Sequence, residues 1–245
     1  MAGEGFRFED VSVVVDEVGS RIVDHVTLLI PAQGIIALAG PSGAGKSTLL
    51  RLCNRLEVPS EGRVLLDGAD LATIDPLVLR RRAGMVFQRP VVFAGTVREN
   101  LQVACATVDD VGAEAVLSRA GLDAGFLDRQ ADDLSGGEAQ RMCIARTLLT
   151  DPDILLMDEA TSALDVDARL VIERLAGELV ASGLTIIWVT HDLEQAERIA
   201  DKTVVIMDGR IVADAVARRY LDARSFVEPG DARAPTELSD DETPT

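Results

Sequence analysis

The sequence predicts an α/β fold built on a mostly parallel sheet. Short apolar runs alternate with segments of helical period along most of the 245 residues. Some of those runs are apolar throughout, as in Gly34 to Ala39 (GIIALA), which suits strands covered on both faces. Helical segments between them supply the crossovers that parallel neighbours require. Two stretches depart from the alternation: a β-rich start, and a helical block at about 89–150 that reads as an inserted subdomain.

Phe6-Arg7-Phe8, Val11 to Val15 and Val26 to Ile30 are β-like runs, bounded by turn signals at Asp16-Glu17 and Pro31 to Gly34. Gly34 to Ala39 enters a glycine-rich turn and then a helix, Lys46 to Leu56. Arg63 to Leu66 and Gly84 to Phe87 read as further strands. In the helical block, Asp109 to Ala120 spaces Val111, Ala115, Val116 and Ala120 near one helical face, with Gly121 as a stop. Gly137 to Thr150 turns Met142, Ala145, Leu148 and Leu149 to one side. Asp153 to Met157 is a strand, Asp167 to Ala181 a helix, Thr185 to Val189 a strand and Leu193 to Ala200 a helix. Thr203 to Met207 is a last strand, running into the Asp208-Gly209 turn. From Glu228 on, Pro, Asp and Glu dominate, so 228–245 reads as a disordered acidic tail behind a folded domain of residues 1–227.

Hydrophobic residues make up 47% and charged residues 27%, which excludes a wholly disordered chain. No run approaches the ~18 uninterrupted apolar residues of a membrane span. The first ten residues, MAGEGFRFED, hold no apolar segment of a signal peptide. Cys53, Cys105 and Cys143 show no metal-ligand spacing and read as free thiols. The net charge of -17 repels phosphate backbones, which argues against nucleic acid as a partner. Lys46 and Lys202 are the only two lysines in the chain, against 22 arginines.

One of the two lysines lies in the strongest motif. Gly40-Pro41-Ser42-Gly43-Ala44-Gly45-Lys46-Ser47-Thr48 fits G-x-x-x-x-G-K-[ST] between a predicted strand and a predicted helix. The glycines let backbone N–H groups turn in around phosphate oxygens, and the following helix points its N-terminal dipole at the same anion. Lys46 supplies a cation for β- and γ-phosphates, and Ser47 a hydroxyl for Mg²⁺. Ile154 to Met157 is an apolar strand ending in Asp158-Glu159, at the strand end where α/β sheets bind ligands. Asp158 is placed to hold the Mg²⁺ shell. Glu159 can polarise a water for in-line attack on the γ-phosphate. A third element, Leu134-Ser135-Gly136-Gly137-Glu138, sets a hydroxyl and two glycines at a helix start, a second anion site. Two such sites in one chain suggest that two chains share each nucleotide.

In this order the residues resemble the ATP-binding cassette (ABC) ATPases over about residues 6–215. Gln88, after the strand ending in Phe87, is similar to the family's Q-loop glutamine, which contacts Mg²⁺ and the transport partner. The signature element follows Gln88 by 47 residues, with Asp132-Asp133-Leu134 leading into it. Ser162-Ala163-Leu164-Asp165 resembles the D-loop. His191, 32 residues after Glu159, resembles the switch histidine that grips the γ-phosphate. His25 receives no role. The resemblance implies a P-loop NTPase (RecA-like) core with an N-terminal antiparallel β subdomain and the inserted helical subdomain. It implies ATP and Mg²⁺ as cofactors, and ATP hydrolysis with catalytic roles for Glu159, His191, Gln88 and Asp165. Nucleotide contacts fall to the loop from Gly40 to Thr48 and to Ser135, Gly136, Gly137 and Glu138, and Mg²⁺ to Ser47, Gln88 and Asp158. One departure stands out: the family commonly places an aromatic under adenine upstream of the phosphate loop, where this chain has Val15. Loss of that face would cost on the order of 1 kcal/mol.

Three kinds of ABC protein compete. The first is the ATPase subunit of a transporter with separate membrane subunits. The second is a DNA-repair, chromosome or translation protein, which usually carries a coiled-coil insertion, a zinc module or two cassettes. The third is a non-hydrolysing regulator, which Glu159 and His191 disfavour. The first fits best. It implies an integral-membrane permease as partner, a nucleotide-sandwich dimer with an identical or different cassette, and a peripheral place on the cytoplasmic face of the plasma (inner) membrane. Leu79 to Pro90 and Cys143-Ile144-Ala145-Arg146 look like phosphate-import ATPases. Phe93 to Leu101 and Ile187 to Asp192 look more like a group linked to iron export, so the substrate stays open. Val91-Val92-Phe93, just after Gln88, is an apolar segment that reads either as a docking site for a membrane subunit or as plain core packing.

Overall fold

The computed structural model describes residues 3–15 and 19–224. β1 (Phe6–Val14) and β2 (Arg21–Ile30) are joined by a segment that includes the predicted Asp16-Glu17 turn, which lies outside the described residues. β3 (Gly34–Ala39) leads into α1 (Lys46–Leu52), followed by β4 (Glu61–Leu66), β5 (Ala69–Asp70), α2 (Pro76–Arg82) and β6 (Ala83–Val86). The segment from 89 to 150 holds α3 (Val97–Gln102), α4 (Asp110–Arg119) and α5 (Gly136–Leu148). The alternation then resumes with β7 (Ile154–Asp158), α6 (Val166–Ala181), β8 (Thr185–Val189), α7 (Leu193–Ile199), β9 (Lys202–Met207), β10 (Arg210–Ile211) and α8 (Asp214–Arg224). The acidic tail 228–245 also lies outside the described residues.

A six-stranded sheet, ordered β10-β9-β3-β8-β7-β6, forms the centre, parallel from β9 to β6 with β10 antiparallel at its edge. A four-stranded antiparallel sheet, β2-β1-β4-β5, packs beside it. Side chains that alternate along the central strands enter two separate cores. Ile36, Leu38, Ile154, Leu156, Ile187 and Val189 pack with α1 and the four-stranded sheet. Ile35, Leu155, Met157, Ile186 and Trp188 pack with α3 to α6 on the other face. The continuous apolar runs are thus explained by burial on both sides.

Several boundaries differ from the sequence reading. α1 ends at Leu52 rather than Leu56, because Arg55 adopts a left-handed backbone (φ 54°) and the Asn54 side chain accepts from the Leu56 N–H at 3.3 Å. α2 is not predicted by the sequence reading, and α3 only as part of the helical block at about 89–150, yet both carry strong start signals. Asp75 accepts from Leu77 and Val78 N–H groups ahead of Pro76, and Thr96 forms a reciprocal capping box with Glu99. β5, β10 and α8 were also missed. Two residues per strand leave too little pattern to read in β5 and β10.

Trp188 is fully buried at the centre of the second core, and its indole N–H has no hydrogen-bond partner among the described residues. Trp188→Phe therefore loses ring volume but no hydrogen bond, and is expected to cost clearly less than removal of the whole side chain. Trp188→Ala is expected to cost about 3–5 kcal/mol. Urea unfolding followed by circular dichroism measures both, since Trp188 is the only tryptophan. A loss of about 3 kcal/mol or more in Trp188→Phe would count against an unpartnered N–H.

Candidate active site

The loop after β3 turns on glycines that nothing else could replace. Gly40 has φ 148°, and a Cβ there would lie 2.1 Å from the Ile206 carbonyl oxygen; Gly45 has φ 96°, and a Cβ would lie 2.4 Å from that of Ile22. Ser42 and Gly43 form the exposed crest, Ala44 is buried, and Thr48 is half-buried on α1. Gly45 caps α1 without any side-chain acceptor. Lys46 is 4% exposed and folds back over the loop, its Nζ donating to the carbonyls of Gly40 (3.0 Å) and Pro41 (2.9 Å). Burial pushes its pKa down, while Glu159 and Asp158 act to raise it. The ammonium is thus held above the loop by weak neutral acceptors, which an anionic phosphate could replace.

The strand ends of β7 and β8 bring the acids to this loop. Ser47 Oγ donates to Asp158 Oδ1 at 2.5 Å, and Arg51, one turn along α1, donates to Asp158 Oδ2 at 3.1 Å. Arg51 was not singled out from the sequence, although its i, i+4 spacing from Ser47 puts both on one helix face. Glu159 adopts a left-handed backbone (φ 47°), a conformation that costs a non-glycine residue roughly 1–2 kcal/mol. Its N–H still donates to the Val189 carbonyl at 3.1 Å. That turn brings the Glu159 carboxylate between Gln88 and His191. Gln88 Nε2 donates to Glu159 Oε2 (3.3 Å) and to Ser162 Oγ (3.2 Å), and His191 Nδ1 lies 3.2 Å from the same Oε2. Lys46, Ser47, Gln88, Asp158, Glu159 and His191 therefore gather at adjoining strand ends of one sheet.

A fit to Mg²⁺ can be judged from the donors present. Ser47 and Asp158 offer a hydroxyl and a carboxylate, and the Gln88 amide oxygen makes no hydrogen bond among the described residues. The described residues hold no cluster of three or more His, Cys, Asp or Glu suited to a metal. Few hard oxygen donors beside a phosphate loop match an ion that keeps waters and shares its shell with substrate phosphates. The residues fit Mg²⁺.

The second anion element stands apart. No hydrogen bond among the described residues joins Ser135, Gly136, Gly137 or Glu138 to the phosphate loop or to Asp158 and Glu159. Ser135 begins α5 in a capping box: its Oγ accepts from the Glu138 N–H at 3.3 Å, and Glu138 Oε2 accepts from the Ser135 N–H at 2.8 Å. The Ser135 N–H bond leads the causes that hold the Glu138 carboxyl below the usual range, with Arg129 (3.3 Å) adding to it. Asp165 is likewise engaged locally, capping α6 through the Ala168 N–H at 2.8 Å.

Sequence and fold comparisons agree with this geometry. The family profile described as ABC transporter matches residues 23–162. The ABC transporter I family member 17 of Arabidopsis thaliana is 43% identical over 211 residues, covering 84% of this chain and 80% of that protein. The phosphate import ATP-binding protein PstB 3 of Natronomonas pharaonis is 43% identical over 203 residues, 77% of this chain and 74% of that protein. A dimeric ATP-binding cassette in a post-hydrolysis state with ADP and Pi superposes with a TM-score of 0.75 at 29% identity, over 85% of this chain and 97% of that one.

The chain belongs to the ABC transporter family.

It is an ATPase of that family, with the P-loop NTPase fold, and its similarities point to transporter ATP-binding subunits rather than to repair, translation or regulatory classes. Within the cassette, the aromatics near Val15 are accounted for. Phe6 and Phe8 are 1% and 0% exposed in the first core, while Val15 is half-exposed beyond the end of β1. Neither phenylalanine can leave the core to stack on a base without opening a cavity.

The signature glycine has a packing reason as well. A Cβ on Gly137 would lie 2.8 Å from the Ala168 Cβ, so α5 and α6 approach too closely for a side chain there. Gly137→Ala should raise helix propensity by up to about 1 kcal/mol and yet lower ATPase activity, because the helices must part. Adding Ala168→Gly should restore part of the activity. Turnover assays and thermal melts of the two variants check this; a fully active Gly137→Ala would show that the contact gives way freely.

Proposed function

We propose that this cassette is the ATPase subunit of a membrane transporter, with residues 1–227 as the ATPase unit and 89–150 as its inserted helical part. In this reading Lys46 and the loop from Gly40 to Thr48 hold the triphosphate, and Ser47, Asp158 and Gln88 hold Mg²⁺. The ion would neutralise charge on the β- and γ-phosphates. Glu159 accepts the proton of the attacking water, and His191 stands at the γ-phosphate. The observation that carries this assignment is the strained turn at Glu159, which aims a half-buried carboxylate between Gln88 and His191.

Ser135, Gly136, Gly137 and Glu138, apart from the chain's own phosphate loop, complete the site of a second cassette, identical or different. Asp165 lies beside that shared boundary. Val166 and Leu170, at i and i+4 on α6 just after Asp165, are 66% and 42% exposed and suit a partner surface. The similarity to a dimeric cassette supports the same arrangement.

A groove of about 340 Å³ beside Gln88 suits the membrane subunit. Phe87, Val91, Phe93 and Val103 are 42–60% exposed there, an apolar patch that calls for a cover. Arg146 stacks 4.9 Å over the Phe93 ring and holds the Val91 carbonyl at 2.8 Å, so the patch has a fixed shape. Among the described residues no helix is long and apolar enough to cross a membrane. The proposed place is therefore peripheral, on the cytoplasmic face of the plasma (inner) membrane, bound through a permease. Phosphate or another small ion or solute is the cargo class that the phosphate-import likeness favours.

Glu159→Gln is expected to keep ATP binding and to lower turnover about 10²–10⁴-fold, the usual loss of a positioned base. With ATP the same variant should form a dimer by light scattering while the nucleotide-free chain stays monomeric. Near-normal turnover would reject Glu159 as the base. A Glu159→Gln chain that stays monomeric with ATP at high concentration would reject the self-paired sandwich.

With no aromatic under adenine, ATP and GTP should bind with similar affinity, and Val15→Tyr should tighten ATP by up to about 1–3 kcal/mol if its ring reaches the base. Nucleotide titrations compare the two proteins. A strong preference of the wild type for ATP would place the adenine contact elsewhere.

A further inference from the structure

Behind Glu159 and His191 lies a buried polar layer that the assigned roles do not use. Gln195 on α7 is 2% exposed, and each polar atom of its amide is engaged. Its Oε1 accepts from Thr190 Oγ1 at 2.8 Å, while Nε2 donates to Thr161 Oγ1 and to Glu173 Oε1, both at 2.9 Å. Thr190 directly precedes His191, and Thr161 follows Glu159 by two residues. Thr161, Thr190 and Glu173 are themselves 2%, 4% and 7% exposed. A second tie runs beside the first: Asp192 accepts from the Gln195 N–H at 3.0 Å and from Arg169 Nη1 at 2.9 Å.

The amide has one workable orientation. Arg198 grips Glu173 with two bonds, Nε to Oε2 at 2.9 Å and Nη2 to Oε1 at 2.8 Å. Burial alone would push the Glu173 carboxyl up, but the bonds from Arg198 and Gln195 outweigh it and hold it below its ordinary range. An ionised carboxylate only accepts, so Gln195 must present its NH₂ to Glu173 and its oxygen to Thr190. Buried polar groups are costly unless all are paired, and here their pairing joins two loops from different strand ends. Simple packing of α7 on the sheet could be met by an apolar side chain of the same volume, without directing either threonine.

We infer that Gln195 is a positioning residue: its amide sets the spacing between the Glu159 turn and the His191 loop, with the Glu173–Arg198 pair holding the amide one way round. This rests on the reading of Glu159 and His191 as the groups around the γ-phosphate. Glu159 Oε2 and His191 Nδ1, 3.2 Å apart, depend on that spacing. The phosphate loop is held from Gly40 and Pro41 and does not touch the clip, so ATP binding should be spared.

The test uses the full chain and steady-state ATP hydrolysis, with ATP affinity measured separately by fluorescent-nucleotide titration. Gln195→Leu and Thr161→Val are each expected to lower kcat about 10–100-fold, the order of loss for small misplacement of reacting groups. KM and ATP affinity should stay within a few-fold of wild type. Thr161→Ser, which keeps the hydroxyl, should keep most of the activity. A merely structural role would lower the melting temperature without separating Ser from Val in kcat. If Gln195→Leu fails to fold, Thr161→Val, which exchanges one hydroxyl for a methyl, decides the matter. Wild-type kcat in a folded Thr161→Val, with Glu159→Gln inactive beside it, overturns the clip alone. High turnover in Glu159→Gln overturns the reading on which the clip rests.

Discussion

The register of the four strands β3, β8, β7 and β6 is the constraint on which the site depends. Leu38 pairs with Val189, Val189 with Asp158, and Met157 with Val86. One step beyond that row, the chain must leave the sheet at four neighbouring points. Gly40, Gln88, Glu159 and His191 all lie within two residues of those exits. A slip of one residue in β7 would turn Asp158 to the opposite face and bury Glu159 in the strand. The alternation of Ile154 and Leu156 into one core, with Leu155 and Met157 into the other, resists that slip, because both faces are apolar and filled. Packing far below the site therefore fixes which acid meets Ser47 and which meets His191.

Much of this was legible in the sequence because the features are local. A glycine-lysine-serine loop between a strand and a helix needs no distant partner to be read, and neither does an apolar strand that ends in two acids. α2 and α3 were equally legible: Asp75-Pro76 and Thr96-x-x-Glu99 are start signals, but both helices span only two turns and show little apolar period. Arg51 could have been found by helix spacing from Ser47. The Gln195 layer could not. Thr161, Glu173, Thr190, Gln195 and Arg198 are spread over two loops and two helices, and only the packing of α6 and α7 on the sheet brings them together. The end of α1 belongs to the same class. A left-handed Arg55 answers to Ile74, whose carbonyl takes the Arg55 guanidinium at 2.9 Å.

In the proposed reading, Ser135 and Asp165 serve a partner cassette and their own chain together. Ser135 and Asp165 both sit at helix starts, and within this chain both satisfy helix N–H groups that would otherwise lack acceptors. Gly137 then lets α5 lie against Ala168 at the base of α6. Any nucleotide reached by Ser135 is thus reached by a rigid corner of two helices. Because Ala168 directs the approach of α5 and also donates its N–H to Asp165, displacement of one loop must be felt by the other.

Charge follows the same division of labour. The chain as a whole is strongly acidic, yet cations stand at four of the points where a loop or an acid is held. Lys46 covers the loop, Arg51 holds Asp158, Arg129 stands against Glu138, and Arg198 grips Glu173. Lys46 differs from the three arginines. Its partners are neutral carbonyls, and burial has lowered its pKa, so its charge is the least compensated of the four. The arginines are already committed to carboxylates through planar, directed bonds. In the proposed reading, an incoming triphosphate gains most from the one compact cation whose present bonds it can replace without uncovering a buried acid. A lysine at this position, in a chain that elsewhere has 22 arginines and one lysine, suits that exchange.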